Sequence, residues 1–272
     1  MNWSSMTPAR NTDAVPALDR RRVVQGLAWT APAMAVATAA PAFATSPRCF
    51  KTVDVVWSDT KYKRTSATSA TYTTADPDGT GPMRPLTLTV KNTFQGSNIR
   101  FGNQSGTANT NLAVQSGIIG GAPNPLSLHQ SPLKNSAKSD SRVDENKTVT
   151  TFTFDRPVTS LTFSITDIDS TRSDFMDAVA VTSATAFTSS KADSSSSGLQ
   201  GVGTVADPWR PSSPNNPVDN SATNGNVTVR FTSQVTSFQI HYWNQTAASS
   251  ASIDGDQKIF ISNLSLTYNA CA

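Results

Sequence analysis

The chain is short of the side chains that most enzymes and metalloproteins rely on. Among its 272 residues there are two histidines, His129 and His241, two cysteines, Cys49 and Cys271, and one glutamate, Glu145. Zinc sites, which want His or Cys in sets of three or four, are therefore excluded as a main theme. The aspartates between Asp167 and Asp177 lack the central glycine and terminal glutamate of an EF-hand loop. No Gly-x-Ser-x-Gly elbow stands before a helix, so the hydrolase nucleophile signature is also missing. Beyond the first 44 residues no apolar run is long enough to span a bilayer. After residue 44 clustered Lys and Arg are absent as well. Residues 1–44 carry four arginines and two aspartates, leaving 18 basic against 17 acidic side chains afterwards, a net of +1. That balance argues against a nucleic-acid partner, which needs concentrated positive charge.

What remains is rich in Ser and Thr and alternates in the manner of β-strands. Its first segment is different. Arg20-Arg21-Arg22 leads into an Ala- and Pro-rich apolar run from Gly26 to Ala40, and Ala42-Phe43-Ala44 closes it as a small-x-small cleavage signal. This order resembles a bacterial twin-arginine signal peptide, with Asp19 where the family has Ser or Thr and with Val23 and Val24 at its aromatic and Leu positions. The resemblance implies a cleavable signal over residues 1–44 and a single secreted or cell-surface domain over 45–272, with no membrane span after cleavage. In an oxidising compartment Cys49 and Cys271 are expected to pair, which would set the first and last strands side by side.

Strands are predicted at Phe50–Trp57, Leu86–Val90, Asn98–Phe101, around Leu126 and Leu128, at Ala178–Val181 and over Ile259–Leu266. Two alternating runs, Val149–Phe154 and Val158–Ile165, flank Asp155-Arg156-Pro157 and read as a β-hairpin. The pattern recurs 77 residues later as Val227–Phe231 and Val235–Tyr242. Two such copies with one apolar and one Thr/Ser face fit an all-β, two-sheet antiparallel sandwich. Ser58–Met83 reads as a long loop or a weak edge hairpin and Ser189–Asn226 as a long surface loop. The Gly/Pro-rich stretch inside 105–147 gives no clear element.

The chemistry is expected at one hairpin tip. Leu161, Phe163 and Ile165 share an inward parity that Asp167 and Asp169 continue, and Asp177 keeps the same phase as Val179 and Val181. Asp174 lies between them. Like carboxylates gathered on the core side of a rim need compensation, and oxygen ligands of this kind suit calcium. The alternative is that the strand stops at Thr166, leaving solvated turn residues. Asp254-Gly255-Asp256 is either a further ligand or a plain turn. Trp209 and Trp243 are the aromatic residues expected to be exposed for stacking on sugars, whereas Trp57 and Tyr242 are expected in the core.

The run Val158–Asp169 with Asp177–Val181 resembles a hairpin of secreted jelly-roll-like β-sandwich domains of bacterial surface proteins, and the N-terminal layout is similar to exported proteins of Actinobacteria. The resemblance implies a surface or adhesive module and carries over no catalytic residue. Three functions fit these residues: a non-enzymatic module that binds a glycan or other surface component, with calcium ordering the tip; an extracellular polysaccharide hydrolase or lyase using the same aspartates; and a structural envelope protein without a small-ligand site. The absence of catalytic motifs favours binding or structure over catalysis.

Overall fold

The computed structural model describes residues 49–96, 99–103, 106, 108–132, 147–172, 174–192, 198–245 and 257–272. The expected signal segment lies outside these residues, as does Asp254-Gly255-Asp256. Every regular element among them is a strand. In chain order these are β1 (Phe50–Val55), β2 (Tyr62–Arg64), β3 (Ser69–Thr73), β4 (Thr87–Phe94), β5 (Ile99–Phe101), β6 (Ile118–Ile119), β7 (Ala122–Pro123), β8 (Leu126–Pro132) and β9 (Lys147–Thr166). There follow β10 (Ser170–Thr171), β11 (Phe175–Thr182), β12 (Thr188–Lys191), β13 (Leu199–Gln200), β14 (Arg210–Pro211), β15 (Val227–Arg230), β16 (Val235–Asn244), β17 (Gln257–Ile261) and β18 (Leu264–Asn269).

The organising element is β9, whose 20 residues run through both sheets of an antiparallel sandwich. Its first half pairs with β4 on one side and β16 on the other, in the order β2-β3-β4-β9-β16-β11-β10. Its second half pairs with β15 on one side and with β17 and β18 on the other. The two runs read as a hairpin are thus one continuous strand, because Asp155-Arg156-Pro157 carries the chain from sheet to sheet instead of reversing it. A parity change marks the passage. Phe152, Phe154 and Val158 are buried at even positions, and Leu161, Phe163 and Ile165 at odd ones. Ser160, with φ at 53°, supplies the extra residue of a β-bulge.

The repeated text has the same explanation. β15 pairs with the second half of β9 and β16 with the first, so the second copy also switches sheets and lies antiparallel to the first. Where the copies cross, Phe238 stacks on Phe152 at 4.7 Å and on Phe163 at 5.0 Å, with Phe231 at 5.7 Å. These rings form the centre of the core, which burial of apolar area stabilises.

β1 pairs with β18 along its length, and Cys49 and Cys271 form a disulfide beyond the end of that pair. Trp57 and Tyr242 are core residues, as expected. Ser58–Met83 holds the edge hairpin β2–β3. Ser189–Asn226 is more than a surface loop: it contributes the β13–β14 pair, and Trp209 exchanges two 2.8 Å backbone hydrogen bonds with Val179.

Candidate functional site

β9 stops at Thr166 because Asp167 takes a left-handed conformation, φ 68°, which an aspartate tolerates better than most residues. The chain then drops Ile168 into the core, where its amide donates to the Gly225 carbonyl at 3.0 Å. It next enters the tip formed by β10 and β11. β11 joins β16 rather than returning along β9, so Asp177 belongs to the opposite sheet from the end of β9. The strand ends where the solvated-turn alternative places it, yet Asp169 and Asp177 are buried.

Asp177 is wholly enclosed, and protein donors surround it. The Tyr242 hydroxyl donates to its Oδ1 at 2.7 Å, the Gln257 amide to the same oxygen at 2.8 Å, and the Asp169 backbone amide to its Oδ2 at 3.1 Å. The chain of donors continues inward: Gln130 Nε2 donates to Gln257 Oε1 at 3.2 Å, and Thr148 Oγ1 to Gln130 Oε1 at 2.8 Å. Asp169 accepts the Val218 amide through Oδ2 at 3.0 Å. Hydrogen bonds therefore supply much of the compensation that the sequence reading assigned to a cation. Asp174 sits in the tip turn, its amide donating to the Thr171 carbonyl at 3.1 Å. Among the described residues no group of three or more His, Cys, Asp or Glu is arranged to hold a metal ion.

Asp167 and Asp169 line a polar cavity of about 330 Å³, together with Gln257, Lys258 and Asn220. Phe175 from the tip and Phe260 from β17 give it two aromatic walls. Burial raises the pKa of Asp167 to about 7, with the Asp169 charge adding to the rise and Lys258 opposing it. Burial likewise raises Asp169 to about 6 against the pull of the Val218 amide. Asp177 is also raised, first by burial and then by Asp169, although its three donors favour the charged form. The cavity thus presents two carboxyl groups that change protonation near neutral pH.

The expected aromatic platform is not formed by the residues named for it. Trp209 and Trp243 are 1% and 0% exposed. Trp209 packs against Gly203, where a side chain larger than hydrogen would meet its ring. Trp243 lies on the outer face of its sheet against Ala178 and Ala180, with the Lys147 ammonium 5.2 Å from the ring centroid. The aromatic residues at the cavity are Phe175 and Phe260 instead. Phe260 was legible in principle, since Ile259 and Ile261 claim the core face and leave it on the other. Gln257 and Asn220 carried no signal, because an isolated amide in a strand or loop has no pattern, and Tyr242 was legible as a core residue but not as a donor to Asp177. His129 binds Thr110 through Nδ1 at 2.6 Å, and His241 Nε2 lies 3.0 Å from Thr182 Oγ1; neither lines the cavity.

Compared with known proteins, the chain matches no family model, no curated protein and no solved structure.

Proposed function

We propose that this protein is an exported, non-enzymatic β-sandwich module that binds a glycan in the cavity between Asp167, Asp169, Phe175 and Phe260. One observation carries the reading: carboxylates, amides and an ammonium converge on a space walled by two phenyl rings. Sugar hydroxyls are satisfied by charged and amide partners, and their apolar C–H faces pack on aromatic rings. Binding of a glycan panel by calorimetry tests it. Asp167→Asn and Asp169→Asn should each weaken binding while leaving the fold intact.

A second reading has its own support. Carboxyl groups that hold a proton near pH 6–7 are suited to general acid catalysis of glycoside cleavage, so a polysaccharide hydrolysis screen belongs beside the binding assay. Turnover that disappears in Asp167→Asn would favour the enzyme. Calcium at Asp167 and Asp169 is a competing occupant of the cavity. A melting temperature that falls on chelation and recovers with added calcium would favour the ion, because a ligand held only by the native state stabilises by mass action.

A further inference from the structure

A second cavity of about 350 Å³ opens at the lateral edge of the sandwich, between β1, β18 and the segment that follows β3. It shares no residue with the Asp167 cavity. Tyr268 pairs with Val158 and Phe260 with Thr166, so eight residues of β9, about 26 Å of strand, separate the two.

Along β1, Phe50, Thr52 and Asp54 are exposed, while Lys51, Val53 and Val55 alternate toward the interior. Lys51 is therefore a half-buried lysine on the inward face. It makes no ion pair or side-chain hydrogen bond among the described residues. The other lysine lining the cavity, Lys61, is neutralised by Asp59 at 2.8 Å. Asp54 belongs to the exposed face of β1 and contributes its carbonyl, which accepts the Tyr72 hydroxyl at 3.4 Å. Asp76 accepts the Asp78 amide at 3.2 Å and lies exposed. The Thr74 and Tyr268 hydroxyls, 3.4 Å apart, face each other across the two sheets.

Lys51, half-buried and without an ion-pair partner among the described residues, lies with the Thr74 and Tyr268 hydroxyls in a lining whose carboxylates, Asp54 and Asp76, belong to exposed residues, and this set matches a ligand with a single negative charge and several hydroxyl groups. Val53 and Pro77 offer an apolar wall to the body of such a ligand. A phosphate dianion fits less well, because Lys61 is already paired with Asp59, Asp54 and Asp76 line the same space, and among the described residues no helix N-terminus adds donors. We propose that this cavity is a subsite for the carboxylate of an acidic sugar, a uronate residue of a polysaccharide, held by Lys51. The subsite stands apart from the glycan reading of the Asp167 cavity.

Calorimetric titration of the protein with trigalacturonate, and with the neutral galactotriose of equal length, tests the assignment. The acidic trisaccharide should bind, with affinity falling as salt rises, and the neutral one should bind at least about tenfold more weakly. Lys51→Gln should lower affinity for trigalacturonate by about tenfold or more, whereas Lys51→Arg should retain most of it. Lys63→Gln, at an exposed lysine of β2 that lines neither cavity, should leave this binding unchanged, which separates the subsite from a loss of net charge alone. Equal binding of both trisaccharides, equal affinity of Lys51→Gln and the unaltered protein, or no binding at all would overturn the proposal. Tri-aspartate binding as tightly as trigalacturonate would overturn the choice of a sugar.

Discussion

Asp169 and Asp177 clasp each other through the backbone: the Asp177 amide donates to the Asp169 carbonyl at 3.0 Å, and the Asp169 amide donates to the Asp177 carboxylate at 3.1 Å. This exchange joins the segment leaving β9 to the start of β11, which pairs with β16. It closes the end of the sandwich around a buried acid and sets Asp169 at the cavity wall.

The first prediction concerns that buried acid. Asp177→Ala leaves the Tyr242 hydroxyl, the Gln257 amide and the Asp169 amide without their acceptor, and each buried unpaired donor costs about 1–3 kcal/mol. The variant should lose roughly 3–5 kcal/mol of stability, while Tyr242→Phe, which removes one donor and leaves two, should lose about 1–2 kcal/mol. Urea midpoints of the two variants check both the size and the order.

Asp167 and Asp169 make stability fall as the solution becomes less acidic. Their folded pKa values, about 7 and about 6, lie above the unfolded value near 4. The contribution is therefore fully present below pH 4 and is lost as pH rises through 6 and 7. One pKa unit corresponds to about 1.4 kcal/mol, so the pair contributes on the order of a few kcal/mol once solvent screening of the half-buried Asp167 is allowed for. Melting temperature measured between pH 4 and 8 should decline across that window, and the decline should flatten in the Asp167→Asn, Asp169→Asn double variant.

Cys49 and Cys271 are 222 residues apart, so their bond closes a very long loop. On the chain-entropy account such a closure stabilises by up to about 5 kcal/mol. A Cys49→Ser, Cys271→Ser variant should lose a large part of this and should release β1 first, since that strand pairs with β18 alone. Hydrogen exchange should show early loss of protection at Thr52–Val55. Unchanged protection there would mean that β1 is held by packing rather than by the bond.

Phe238 lies against three other phenyl rings where the two copies cross. Phe238→Ala should cost about 3–5 kcal/mol, the range for a large-to-small change in a packed core. A denaturation curve with a smaller loss would show that the crossing can collapse around the void.

Alternation of apolar and Thr/Ser residues made the strands and the sandwich legible, because a half-buried strand has a period of two and few other structures do. The disulfide and the pairing of β1 with β18 followed from two cysteines near the ends of the domain. The sheet switch within β9 was not legible: Asp155-Arg156-Pro157 has turn composition, and only the φ of Ser160 and the pairing partners reveal continuous strand. At the site, parity brought Asp167, Asp169 and Asp177 to one end of the molecule but could not show which donors meet them. Those donors come from Tyr242, Gln257 and Val218, 49 to 80 residues away in sequence. The burial of Trp243 was hidden for the same reason, since Ala178, Ala180 and Lys147 are remote in the chain, and that of Trp209 because its nearby cover, Gly203, carries no apolar signal.

The most direct measurement is a calorimetric titration of a glycan panel against the unaltered protein and the Asp167→Asn and Asp169→Asn variants, with melting curves recorded alongside. A glycan that binds the unaltered protein, and binds both variants at least about tenfold more weakly at undiminished melting temperature, is the predicted result. Affinity unaffected by either substitution, or no glycan bound at all, would contradict the assignment of the Asp167–Asp169 cavity as the binding site.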